Sequence, residues 1–385
     1  MAGVAPRILI WARETAGLSQ EEAAKKLGIS VKRLASFEDG EREPTRQQIA
    51  AMAKRYHRPL LVFYLANPPS EGDQPRDFRS LPDRPPAGSE ALVSALLRDV
   101  LARQRVIKAA LEELEENEII PAVGSVRIAG GIERATVALE EFLGTNRDEF
   151  RAQQSVDAAF SMLRSRAEKA GVFVLLMGNL GTHHTDIDVH VFRGFALADD
   201  IAPFVVINEK DSRAAWSFTL LHELVHVLLG ESGISGYDGR DDVERFCDSV
   251  AARFLLLPTE LAQIQLGDRP NIQTLIDRIS AFANARKLSR KMIAYNLLRS
   301  NAISARLYQD LSAKFDAERV QRKQEDDREG GPSYYVVRRH RLGSGLINTV
   351  DRLISGGALT TPKAGLVLGV KPTNVYPLIA HGKAA

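Results

Sequence analysis

Between Asp211 and Gly230 the chain places two histidines and a glutamate inside an otherwise apolar run, His222-Glu223-Leu224-Val225-His226 within TLLHELVHVLLG. Residues i and i+4 of a helix share one face, about 5–6 Å apart. The segment therefore predicts a buried helix that presents two imidazoles side by side. Leu220, Leu221, Leu224, Val225, Val227, Leu228 and Leu229 leave that helix no solvent face. Two neutral imidazoles at this spacing can hold one ion of tetrahedral habit. Glu223 directly follows the first of them, where a carboxylate can take a proton from water activated by such an ion.

A hydrolytic site of this kind needs a third protein ligand and one open position. The next helical segment, DDVERFCDSVAARFLLLP, offers candidates. Val243, Phe246, Cys247, Val250, Ala251 and Phe254 make its apolar face. Glu244 opens the helix beside that face and is the preferred ligand. Asp248, one turn later, is the lesser alternative, as ligand or as orienting partner. Cys247 reads as a small core residue. His183, His184 and His190 are further candidate ligands, of which His183 and His184, in the loop GTHHTD, read rather as surface residues.

The first 65 residues carry a second pattern, LSQEEAAKKLGISVKRLASFEDG. Ser19 and Glu22 form a capping box for a helix starting at Gln20, and Gly28 ends it. Ser30 caps the next helix, up to Phe37. Two short helices joined by a tight glycine-containing turn are a helix-turn-helix. Gln20, Lys32, Arg33 and Ser36 are the candidate nucleic-acid contacts, because the start and outward face of the second helix meet phosphates and base edges. Glu38, Asp39, Glu41 and Glu43 would repel phosphates, so the same scaffold also suits a protein partner.

Composition bounds the rest. The 385 residues are 44% hydrophobic and 26% charged, with one cysteine, which suits soluble globular domains in a reducing compartment and excludes an internal disulfide framework. No long uncharged apolar stretch predicts a membrane span, and the amino terminus reads as no secretion signal. The expected location is the cytoplasm, with no membrane partner. Residues 1–65 carry 11 Lys/Arg against 7 Asp/Glu, and residues 333–385 carry 7 against 1. A run with six prolines over residues 67–90 reads as a linker. Short apolar runs at 171–178, 189–199 and 202–208 read as strands. The predicted organisation is a helix-turn-helix domain over 1–66, the linker at 67–90, a domain built around the two-histidine helix over 91–300 with its core at 150–265, and a charged linker with a helical tail unit over 301–385. The fold class is α+β and mainly helical, with a small sheet in the central domain. The tail, with YYVVRRHR before it, offers a basic aromatic surface or, the preferred reading, a docking subdomain.

The run RGFALADDIAPFVVINEKDSRAAWSFTLLHELVHVLLG followed by VERFCDSVAARFLLLP resembles the ImmA/IrrE family of zinc metallopeptidases. Val225 stands where typical members have glycine, and the run before Pro258 is one residue longer than usual. The amino-terminal stretch resembles lambda-repressor/Cro-like helix-turn-helix domains, and the tail a degenerate helix-turn-helix. The resemblance implies zinc on His222, His226 and Glu244, with Glu223 as base. It implies a protein substrate, often a helix-turn-helix repressor whose cleavage alters transcription in a stress response or a mobile element. Manganese or cobalt would suit the same ligands. The rival expectation is a DNA-binding regulator or antitoxin-like protein whose metal domain is a scaffold or sensor. Oligomeric state, substrate and operator are not written in the sequence.

Overall fold

A computed structural model describes residues 4–65, 67–68, 89–182, 185–234, 241–264, 266, 271–326 and 333–381. The contacts divide the chain into two compact units, residues 1–102 with 178–192 and 236–239, and residues 103–177 with 193–235 and 240–385. The predicted loop histidines His183 and His184 lie outside the described residues, as does most of the predicted linker at 67–90.

In the first unit, helices α1 (Pro6–Glu14), α2 (Gln20–Leu27), α3 (Val31–Glu38) and α4 (Arg46–Arg55) close on a core of Ile8, Leu9, Leu34, Phe37, Met52, Tyr56 and Phe63. The capping box forms as the sequence predicts. The Glu22 amide donates to Ser19 Oγ and the Ser19 amide to the Glu22 carboxylate. Gly28 ends α2 in the left-handed conformation, φ 69°. Ser30 accepts from the Arg33 amide and so starts α3. Asp188 closes a turn by accepting from the His190 amide. This turn replaces the first half of the strand predicted for 189–199.

The long helix α5 (Ser89–Glu113) ends in the second unit, which continues with α6 (Ile132–Leu143), α7 (Arg147–Arg151) and α8 (Val156–Lys169). Strands β1 (Phe173–Leu176), β2 (Gly194–Leu197), β3 (Phe204–Ile207) and β4 (Gly233–Ile234) form one sheet in the order β1-β3-β2-β4. β1 runs parallel to β3, and β2 antiparallel to both β3 and β4. The first three strands are buried at every position, which explains their unbroken apolar sequences. Helix α9 (Arg213–Leu229) lies on β2 and β3, and α10 (Asp241–Leu255) packs against α9. Helices α11 (Ile272–Arg286), α12 (Arg290–Arg299) and α13 (Ala305–Asp326) follow. No described helix is long and apolar enough to cross a membrane.

The tail consists of α14 (Tyr334–Leu342), α15 (Ser344–Ser355), α16 (Thr361–Leu368) and α17 (Val375–Ala380). Its basic residues have internal uses. Arg338 donates to the Leu368 carbonyl, at the end of α16, from Nε at 3.0 Å and Nη2 at 2.6 Å. Arg339 Nη1 donates to the Leu378 carbonyl at 3.0 Å. Arg341 pairs with Glu209 at 2.6 Å. Each terminates a helix or pins α14, as cations do well at exposed helix carbonyls. α14 packs on β1, and Arg164 of α8 donates to the carbonyls of Val174 and His340. The docking reading of this segment accounts for all three arginines.

Candidate functional site

Helix α9 is buried from Trp216 almost to its end, apart from the half-exposed Phe218, and stops at Gly230 in the left-handed conformation, φ 72°. The amides of Gly124 and Val126 donate to the Val227 and Leu228 carbonyls at 3.2 and 2.9 Å, satisfying its last turn. On this fixed helix His222, Glu223 and His226 are 4%, 0% and 2% exposed. Side chains that polar do not stay in a dry core unless something there binds them.

The Nε2 atoms of His222 and His226 lie 3.1 Å apart. Glu244, on the first turn of α10, reaches both. Its Oε2 is 3.3 Å from His222 Nε2 and its Oε1 is 3.2 Å from His226 Nε2. The Glu244 carboxylate thus spans the two imidazoles, one oxygen against each Nε2, and the two nitrogens are 3.1 Å apart. Bonds of about 2.0–2.1 Å to a tetrahedral ion give ligand edges of about 3.3–3.4 Å. Two imidazole nitrogens and a carboxylate oxygen are also the donor chemistry of a catalytic zinc site, so the residues present fit the ion.

Asp248, one turn beyond Glu244, does not join this set. Its Oδ1 lies 2.9 Å from His222 Nδ1, on the far side of the ring. A carboxylate there fixes the tautomer that leaves Nε2 free to bind. The sequence offered Asp248 as ligand or orienting partner, and the geometry gives it the second role. Cys247 Sγ lies within 4.8 Å of donor nitrogens on both histidines, making a His/His/Cys group. Glu244 contacts both imidazoles at 3.2–3.3 Å, and burial, with the nearby carboxylates, pushes the Cys247 thiol pKa up. Both the Glu244 carboxylate and the Cys247 thiol therefore stand close to the two imidazoles.

The electrostatics point the same way. Burial disfavours the His222 cation, but the hydrogen bonds to Asp248 and Glu244 outweigh it and raise its pKa to about 10. Burial likewise disfavours the Glu244 anion, yet its bonds to His222 and His226 hold its pKa down at about 2. Both shifts say that this pocket of carboxylates stabilises positive charge.

Glu223 turns toward the sheet. Its Oε1 lies where a Cβ on Gly194 of β2 would come within 2.6 Å of it. Sequence reasoning missed Gly194. The available signal was a glycine opening an apolar strand, which often marks a close approach.

In the helix-turn-helix the four candidate contacts separate into two pairs. Lys32 and Arg33 are exposed on α3. Ser36 is 9% exposed, and its hydroxyl donates to the Arg33 carbonyl at 2.8 Å. Ser36 is thus a correction: its short side chain is satisfied within α3 and does not face outward. Gln20 uses its amide inward, donating to Glu38 Oε2 at 2.8 Å. Arg13 grips the same carboxylate with Nε at 2.7 Å and Nη2 at 3.1 Å.

Comparison with known families agrees with both halves of this description. Residues 9–63 match the helix-turn-helix family model, and residues 167–298 match the peptidase M78 model, the IrrE N-terminal-like domain. The second match contains all of β1–β4, α9 and α10. No curated protein matches the chain, and no solved structure does. The chain therefore carries an amino-terminal stretch similar to helix-turn-helix domains and, further along, a stretch similar to the IrrE N-terminal-like domain.

Proposed function

We propose that the protein is a metal-dependent endopeptidase, with zinc as the native ion, that acts on a protein substrate and is brought to it by its helix-turn-helix domain. The convergence of His222, His226 and Glu244 on one point, with Glu223 buried beside it, carries this reading. His222 and His226 hold the ion through Nε2, Glu244 holds it through a carboxylate oxygen, and Asp248 orients the His222 ring. When bound, the ion supplies Lewis acidity to the scissile carbonyl and to the attacking water. Glu223 accepts the proton of that water and delivers it to the leaving amide nitrogen. A site that served only to brace the fold would have no work for a fully buried carboxylate between its two histidines.

The preferred substrate is a repressor of the helix-turn-helix type, whose removal changes transcription. Lys32 and Arg33 are the residues on α3 available for phosphates and guanine edges. The test is to co-express wild type and Glu223→Gln with candidate repressors and to follow the products by mass spectrometry. Cleavage with wild type alone is the expected result. Identical products from both proteins, with DNA binding intact, would instead make the metal domain a scaffold or sensor within a DNA-binding regulator.

A further inference from the structure

The buried residues around the donor set include one whose identity the fold alone does not require. Gly194 opens β2 and pairs with Ile207 in a regular antiparallel ladder. It is not one of the glycines with a left-handed backbone. Any residue could adopt this conformation, and glycine is among the poorest strand formers. Its three successors, Phe195, Ala196 and Leu197, are ordinary core residues.

What excludes a side chain is the helix above. A Cβ at position 194 would lie 2.6 Å from Glu223 Oε1, 2.7 Å from Thr219 Cγ2 and 3.0 Å from the Val206 carbonyl oxygen. Thr219 precedes Glu223 by one turn of α9, so one spot on β2 meets two successive turns. Two of the three neighbours sit in packed elements and can give only a little. The Val206 carbonyl belongs to the central strand β3, and Thr219 is 5% exposed on a helix packed on both sides. The group that must yield is the end of the Glu223 side chain.

We infer that Gly194 is a positioning residue for Glu223: the bare backbone of β2 forms the recess that sets where the carboxylate stands relative to the metal donors. This rests on the metal reading above and adds a determinant outside α9 and α10. The carboxylate is 0% exposed, so it has no solvent to swing into and keeps the place the recess allows. Of the site's side chains, the one a methyl group at 194 meets first is Glu223, at 2.6 Å from Oε1.

Cobalt-loaded protein tests this without a known substrate, because the visible bands of the ion report the geometry and neighbours of its site. Wild type, Gly194→Ala, Glu223→Gln and the double variant Gly194→Ala/Glu223→Asp are titrated with cobalt chloride at one pH. Wild type and Gly194→Ala are expected to take up one ion each, with affinities within about tenfold. The bands of Gly194→Ala are expected to depart from wild type in the same direction as those of Glu223→Gln. The shorter aspartate in the double variant is expected to bring them back. If Gly194→Ala does not fold, adding Thr219→Ser removes the methyl at 2.7 Å and lets the same spectra be read. Gly194→Ala bands that superimpose on wild type overturn the inference and leave the metal reading standing. So does a weakened cobalt affinity that the aspartate fails to restore, because the glycine then serves only packing. A wild type that binds no cobalt overturns the metal reading itself.

Discussion

In the helix-turn-helix unit the Glu38 carboxylate is 3% exposed, and the Arg13 guanidinium and the Gln20 amide close around it. In the second unit Glu244 and Asp248 are turned toward two imidazoles, with Glu223 buried alongside. Both are carboxylate clusters between helices, and they differ in one component. The first contains its own permanent cation, since a guanidinium stays charged at any ordinary pH. In the second, the described partners of Glu244 and Asp248 are histidines, which carry charge only by taking up protons. A cluster that brings its own counter-charge is complete as a structural brace. A cluster rich in acids and poor in fixed cations is a place for a cation from outside.

That contrast can be broken by experiment. Arg13→Ala should destabilise the helix-turn-helix unit by about 3–5 kcal/mol, because it strands a buried carboxylate. The measurement is thermal unfolding of the full chain, and metal uptake should stay at the wild-type level. Glu244→Ala should lower zinc affinity by more than the 10–100-fold typical of a supporting residue, read by competition with a chromogenic chelator. Retention of wild-type affinity would hand the third position to Cys247. Asp248→Ala should cost about 10–100-fold in the same assay, since it loosens the His222 ring without removing a donor.

A pH scan sharpens the comparison further. The His222 pKa is raised from 6.5 to about 10 in the folded protein. In metal-free protein its contribution to stability is complete below pH 6.5 and is lost as pH rises through about 10. Melting in the presence of chelator should therefore fall by on the order of a few degrees over that window. The Arg13 guanidinium should keep its charge across that window, because its hydrogen bond to Glu38 raises its pKa further. The smallest effect belongs to the surface: Lys32→Ala and Arg33→Ala should each leave stability within about 0.5 kcal/mol. Each should also lower the salt slope of DNA binding by about 1, which an unchanged slope would contradict.

Much of the candidate site was legible because helical spacing is a local rule. His222 and His226 are one turn apart by sequence, and the start of the next helix supplied Glu244. The caps at Ser19, Gly28 and Ser30 were readable for the same reason. Ser36 was misread because local spacing places a residue on a helix face but does not show whether a small hydroxyl turns back to its own backbone. The basic tail was ambiguous because charge counts carry no information about acceptors. Arg338, Arg339 and Arg341 find theirs 30, 39 and 132 positions away. The strand expected over 189–199 was halved because an Asp188 side chain competes with the ladder for backbone amides.

The order of residues along the chain determined which side chains share a helical face, where helices start and stop, and which segments must be buried, because these depend on contacts a few positions apart. Only the folded arrangement decided that Glu244 spans the two imidazoles, that Asp248 stands behind His222, that Gln20 and Arg13 close on Glu38, and that Gly194 makes room for Glu223. Those relations join elements up to 30 positions apart, and their energies depend on distances of a few ångströms that no local pattern encodes.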